Sequence, residues 1–378
     1  MNHFIDPKCK DQPLTSKDQE LDLLGFQKSA WGLARSIKAL EVEESKCIGV
    51  LGELGSGKTS FLNFLRDQFD DEKAIVLSLD AWLCAQEGRF LSSFITTLFT
   101  DLEKNPRELK KDRFKSFIRK SVGTGFRQNQ FEEEKSLLRK HLLAQESYII
   151  CFVDNLDKLE HGDARRIICL LKEVLDLPKM IFVLAFDPNF VATAYNQFDP
   201  ISGEYFLDGV IDIRHDLPHI SDQQKEEQIK SLMDLNFRGD FPMEMVIESP
   251  AWQETNSYFL NFFRNYRDIK RFITNLTFVE KTTDKFKRLN PFDRFTIQML
   301  RIMAPATYRL LQHNPAASHD ERWNSTLGNS LPKHVRTTSL VKLLQMLEGQ
   351  ERQYVANESE GFFFRFSSEA DQAQFFTW

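Results

Sequence analysis

The sequence predicts an α/β fold: a three-layer domain with a parallel sheet, followed by a mostly helical lid and C-terminal region. Three observations predict it. All-apolar runs at Cys47–Leu51, Tyr148–Val153 and Met180–Phe186 have the composition of strands buried on both faces of a parallel sheet. Segments of helical period alternate with them, as layered α/β domains require. After Pro218 the strand-like runs stop, and Ser221–Leu235, Ser257–Glu280 and Asp293–Leu311 all read as helices.

Residues 1–45 form a polar lead-in and a helix, with Ala30, Leu33, Ala34 and Ile37 at helical spacing. Residues 46–217 form the core. Cys47–Leu51 feeds a glycine-rich turn, Ser60–Phe69 is amphipathic, and Ala74–Leu79 is a second strand. Phe90–Leu102 has helical spacing, and 103–145 is a charged, helix-leaning insert. Asp163–Leu175 is the helix between the last two apolar strands. Residues 218–312 make the helical lid, and 313–378 a C-terminal segment that starts with a loop over 314–335.

Composition limits the function classes. The 378 residues are 42% hydrophobic, enough to bury a core without disulfides or structural metal. Lys+Arg 49 against Asp+Glu 55 gives a net charge of -6, which opposes wholesale wrapping by nucleic acid. The five cysteines lack CxxC spacing and read as buried thiols of a reducing compartment. No leader pattern stands at the N-terminus, and the apolar runs fall far short of the ~20 residues that span a bilayer. A cytoplasmic protein without a membrane span is expected. The 34 Phe point to aromatic packing.

One motif carries chemistry. Gly52-Glu53-Leu54-Gly55-Ser56-Gly57-Lys58-Thr59 matches G-x-x-x-x-G-K-[ST] between a predicted strand and a predicted helix. Glycines let the backbone curl so that several N–H groups face one anion, and the helix N-terminus adds its positive dipole end. The segment Gly52, Glu53, Gly55, Ser56, Gly57, Lys58, Thr59 and Ser60 is therefore the expected nucleotide cradle. Lys58 is placed on the β/γ phosphates and Thr59 on Mg²⁺. Such a site needs an acid at the end of a nearby strand. Asp154 supplies it, and Thr59 with Asp154 are the expected metal ligands.

The next position is Asn155, which cannot accept a proton, and Asp157 follows two residues on. Two readings stay open: Asp157 or another acid serves as base with slow turnover, or ATP acts chiefly as a conformational ligand.

The whole pattern resembles the KAP family of P-loop NTPases. Asp22-Leu23-Leu24-Gly25-Phe26 with Ala30 and Ala34 resembles its lead-in helix, and Ile48–Ser60 its phosphate loop, with Leu54 where Trp is usual. Asp80-Ala81-Trp82 is similar to the Asn-Ala-Trp that ends its second strand. Asp154-Asn155-Leu156-Asp157-Lys158 resembles its Asp-Asp-Leu-Asp-Arg run, with Asn155 for the second Asp and Lys158 for Arg. Phe182–Asp187 matches its sensor strand, Tyr266–Phe272 its Pro-Arg-Asp-Ile-Lys-Arg-Phe helix, and Asn290–Pro305 its closing helix.

The resemblance implies an additional-strand sheet, ATP as nucleotide, Asp187 as a γ-phosphate sensor and Arg267 reaching the nucleotide from the lid. Bacterial family members are implicated in phage exclusion, often beside a protein effector. Many carry transmembrane helices in the insert, which is charged here.

Weaker signals remain. Residues 104–127 hold nine Lys/Arg, from Lys104 to Arg127, against Glu108 and Asp112. They form either a solvated helix face or a face for nucleic acid, which would make the protein a DNA-dependent ATPase. Pro218 between His215 and His219 spoils a helical metal pair. A homo-oligomer would let Arg165, Arg166 or Arg214 act in a neighbouring site. The seven aromatics of Glu360–Trp378 form a final core element or a docking tail.

Overall fold

The computed structural model describes residues 11–40, 42–69, 73–86, 100, 128–169, 171, 176–190, 193, 209–237, 256–257, 259–282 and 291–313. The expected helix over 90–102 (Thr100 apart), the basic stretch 104–127, the loop 314–335 and the aromatic end 360–378 lie outside them.

Five strands make one parallel sheet: β1 Lys46–Leu51, β2 Ala74–Asp80, β3 Tyr148–Asp154, β4 Met180–Phe186 and β5 Ile213–Asp216. Their order is β2-β3-β4-β1-β5, and β2 leads directly into the short helix α3, Ala81–Gln86. β4 therefore stands between the strand that precedes the glycine-rich loop and the strand that ends in Asp154. This is the additional-strand arrangement.

The sheet carries helices on both faces, and strand alternation explains how. Cys47, Leu51, Ile149, Cys151, Val153, Phe182 and Leu184 enter one core with Leu138 and Leu142 of α4 (Gln128–Leu143) and Ala164, Ile167 and Ile168 of α5 (His161–Cys169). Ile48, Val50, Ile150, Phe152, Ile181 and Val183 enter the other. They meet Ala30, Leu33 and Ile37 of α1 (Phe26–Lys38) and Phe61, Phe64 and Leu65 of α2 (Lys58–Arg66). Cys47 and Cys151 are buried thiols.

α1 begins where Gly25 adopts a left-handed φ of 67°. The Asp22 carboxylate accepts the Phe26 N–H at 2.9 Å and the Gln27 N–H at 2.8 Å, satisfying two orphan donors of the first turn. β5 has no apolar run: Ile-Arg-His-Asp alternates half-buried and exposed and pairs with β1. That is why sequence periodicity passes over it.

The chain divides into two compact units, Pro13–Pro218 and the region from His219 onward with Asp11 and Gln12. In the second unit lie α6 Asp222–Phe237, α7 Tyr266–Thr282, α8 Pro291–Met303 and α9 Pro305–His313. The helix expected over Ser257–Glu280 is interrupted: Asn256, Ser257, Phe259 and Leu260 are helical, 261–265 are not, and α7 starts anew at Tyr266, where Asn265 Oδ1 accepts the Asp268 N–H at 3.1 Å and caps the new start. The helix expected over Asp293–Leu311 is two, broken at Pro305, which lacks the N–H that continuity needs. Phe259, Phe263, Phe272 and Phe295 are buried together, with Phe272 and Phe295 centroids 4.7 Å apart. Among the described residues no helix is long and apolar enough to cross a membrane.

Candidate nucleotide site

The site lies outside the carboxyl ends of β1, β2, β3 and β4, where open parallel sheets bind ligands. Gly52 leaves β1 beside the end of β4, its N–H donating to Phe186 O at 3.3 Å. The loop then turns through Gly55 and Gly57, whose φ values of 89° and 97° belong to the left-handed region that favours glycine. α2 starts at Lys58 without a side-chain cap, so its first-turn N–H groups stay available to an anion.

Phe26 of α1 supports the loop from below. A Cβ on Gly57 would stand 2.5 Å from Phe26 Cε2, and one on Gly52 2.5 Å from Ser56 Oγ. Gly57→Ala is expected to lower nucleotide-free stability by about 1–2 kcal/mol from backbone strain alone. Displacement of Phe26 adds to that and distorts the loop. Thermal unfolding together with analogue binding checks it; an unchanged Tm with unchanged binding would show that the loop tolerates the side chain.

Lys58 is 7% exposed. Its ammonium donates to Gly52 O at 2.7 Å and Glu53 O at 3.0 Å and pairs with Asp157 Oδ2 at 2.8 Å. Asp157 reaches it because Asn155 adopts φ 61°, open to asparagine, and Leu156–Lys158 form a single 3₁₀ turn. The Thr59 hydroxyl donates to Asp154 Oδ2 at 2.7 Å. The Asn155 N–H donates to Asp154 Oδ1 at 2.7 Å, and Asn155 Nδ2 to Asp80 Oδ2 at 2.8 Å.

Burial pushes the Asp154 carboxyl above its ordinary 3.8, opposed by the bonds from Thr59 and Asn155 and helped by the nearby Asp80 and Asp157 charges. A raised folded-state value means the protonated form favours folding. That increment is present below 3.8 and is lost as pH rises through the folded value. At neutral pH the charged Asp154 therefore weakens the fold. Asp154→Asn is expected to raise the Tm of nucleotide-free protein at pH 7 while weakening Mg²⁺-dependent nucleotide binding. The Tm gain should shrink on acidification; a Tm loss at pH 7 would contradict the argument.

The residues fit a nucleotide. Ser56 Oγ is buried with no hydrogen-bond partner, Lys58 offers a cation, and Thr59 and Asp154 present the hard oxygen donors that Mg²⁺ takes. The Ser60 hydroxyl faces elsewhere, accepting the Leu14 N–H at 2.9 Å. Glu53 contributes its carbonyl. Asp187 follows β4 directly, and its Oδ1 accepts the Asn189 N–H at 2.9 Å. Arg267 belongs to α7 of the helical unit, where its Nε lies 2.8 Å from Asp11.

Sequence reasoning passed over Asp80 as a site residue, although it carries the signal that found Asp154, an acid closing an apolar strand. Phe26 gave no such signal, since only the folded chain puts its ring beneath Gly57.

The KAP family P-loop domain matches residues 26–283. The phage T7 exclusion protein of Escherichia coli (strain K12) is 23% identical over 351 residues, covering 79% of this chain and 47% of that protein. The chain thus spans about half the length of this relative. Among solved structures, the Aeropyrum pernix ORC2 protein in ADPNP–ADP complexes is 11% identical, with 91% of this chain and 89% of that one covered and a TM-score of 0.42. Cdc6p from Pyrobaculum aerophilum is 13% identical, with 99% and 97% covered and a TM-score of 0.43. With the glycine-rich loop, the additional-strand sheet and the family's domain over most of its length, this chain belongs to the KAP family of P-loop NTPases.

Proposed function

We propose that the chain is an ATPase whose binding and hydrolysis of ATP drive a rearrangement controlling a protein effector in prokaryotic antiphage defence. One observation carries the reading: Lys58, Thr59, Asp154 and Asp157 meet within 2.8 Å contacts at the carboxyl edge of the sheet. The similarity to the phage T7 exclusion protein supports the defence role.

In this reading Lys58 turns from the Gly52 and Glu53 carbonyls onto the phosphates, while the free N–H groups at the start of α2 hold them in place. Magnesium held by Thr59 and Asp154 would neutralise phosphate charge and orient the reacting group. Asp187 senses the γ-phosphate and Arg267 answers from the helical lid beyond Pro218. A homo-oligomer is compatible with this reading; a nucleic-acid contact through Lys104–Arg127 belongs to a separate alternative, a DNA-dependent ATPase, which would show as turnover stimulated by DNA.

A second reading, a non-hydrolysing ATP switch, is favoured by Asn155 standing where an acid would accept a proton and by the closed Lys58–Asp157 pair. Phosphate release by purified protein decides between them. Release that depends on Lys58 establishes the ATPase. Analogue binding without release above that of Lys58→Ala establishes the switch.

A further inference from the structure

β2 and β3 are parallel and in register, so Asp80 stands beside Asp154. The left-handed φ of Asn155 brings its amide across to the neighbouring strand end, where Nδ2 donates to Asp80 Oδ2 at 2.8 Å. The other Asp80 oxygen accepts the Leu83 N–H at 3.1 Å. Lys158 Nζ, on the turn after Asn155, lies 5.7 Å from the ring centroid of Trp82 in the helix after Asp80. An amide and a carboxylate thus face each other at the site's edge.

The residue that closes β2 is the carboxylate Asp80, and the residue after the β3 acid is the amide Asn155, joined by one hydrogen bond. Asp157 and Asp154 are each engaged elsewhere: Asp157, its side chain 4% exposed, on Lys58, and Asp154 with Thr59.

We propose that Asp80 is the carboxylate that activates the attacking water, and that Asn155 is the positioning residue that holds it. This rests on the reading that the chain hydrolyses ATP. The water oxygen forms a bond to the γ-phosphorus. The bond from that phosphorus to the bridging oxygen breaks, its electron pair leaving on ADP. The proton released by the water goes to Asp80.

The test compares full-length Asp80→Asn, Asn155→Asp and the doubly exchanged D80N/N155D by two readouts, phosphate release and thermal unfolding without nucleotide. Asp80→Asn removes the charge and leaves a single amide oxygen for two donors, the Leu83 N–H and Asn155 Nδ2, so its Tm is read beside its release. Release is expected to fall by about 10²–10⁴ with binding of a non-hydrolysable ATP analogue retained. Asn155→Asp sets two carboxylates face to face and lowers the Tm. The double exchange restores the bond with its ends reversed, recovering both the Tm and most of the release.

Active wild-type protein with an equally active Asp80→Asn overturns the role of Asp80 alone. A doubly exchanged protein that regains the Tm but not the release overturns the exchange. Wild-type release no higher than that of Lys58→Ala overturns the hydrolytic reading and this one with it, and an unaltered Tm in Asn155→Asp overturns the pairing.

Discussion

Lys58→Ala is expected to lower ATP-dependent phosphate release by at least two to three orders of magnitude. Removing one well-placed stabiliser of developing charge costs on the order of 10²–10³ in rate, and Lys58 contributes to binding as well. The variant has a second consequence. With the ammonium gone, the Asp157 carboxylate, 4% exposed, is left buried beside the loop without its cation. Removing one partner of a buried pair destabilises by about 3–5 kcal/mol, so the nucleotide-free Tm should fall as well.

Combining Lys58→Ala with Asp157→Asn separates the two effects. The neutral amide needs no counter-charge, so stability should return while phosphate release stays lost. Thermal unfolding and phosphate release on both variants check this. Recovery of release in the double variant would mean that Lys58 supports the fold and not the reaction.

Phe61→Ala is expected to cost a large share of the stability of the sheet unit. The ring is fully buried, edge-on to Phe26 with centroids 5.9 Å apart and stacked on His215 at 4.7 Å. His215 is held in turn by its contact with Ser29 Oγ at 3.2 Å, and burial lowers its pKa despite the opposing Asp216 charge, so the stack meets a neutral ring at physiological pH. Truncating a buried Phe costs about 3–5 kcal/mol, a large part of the 5–15 kcal/mol typical of a domain.

Nucleotide binding should suffer with it. Phe61 lies on the first turns of α2, its N–H donating to Gly57 O at 2.9 Å, and Phe26 fills the space under Gly57. Urea unfolding of the full chain, read with analogue affinity, checks both. A loss below about 1 kcal/mol would mean that the neighbouring rings close over the gap, contrary to the cavity term of well-packed interiors.

Much of this was legible in the sequence for a physical reason. β1, β3 and β4 are flanked by strands on both sides and covered on both faces, so each is an unbroken apolar run. The glycine-rich loop is legible because its chemistry is local: backbone N–H groups, two glycines at positive φ, one lysine and two hydroxyls fall within eight residues. β5 was not legible, because an edge strand with half its side chains in solvent needs no such run. The break at Pro305 and the cap at Asn265 were local as well, but helical periodicity on either side concealed them.

The sequence by itself determined the sheet's apolar strands, the phosphate loop and the strand-end position of Asp154, since each depends on neighbours a few residues away. Tertiary structure alone decided what those residues face. Pairing β2 with β3 in register placed Asp80 beside Asp154 and within reach of Asn155. The left-handed turn at Asn155 brought Asp157 onto Lys58. Packing α1 against α2 put Phe26 beneath Gly57. Contacts between residues far apart in the chain are set by which strands pair and which helices pack, and no local pattern of residue types encodes that.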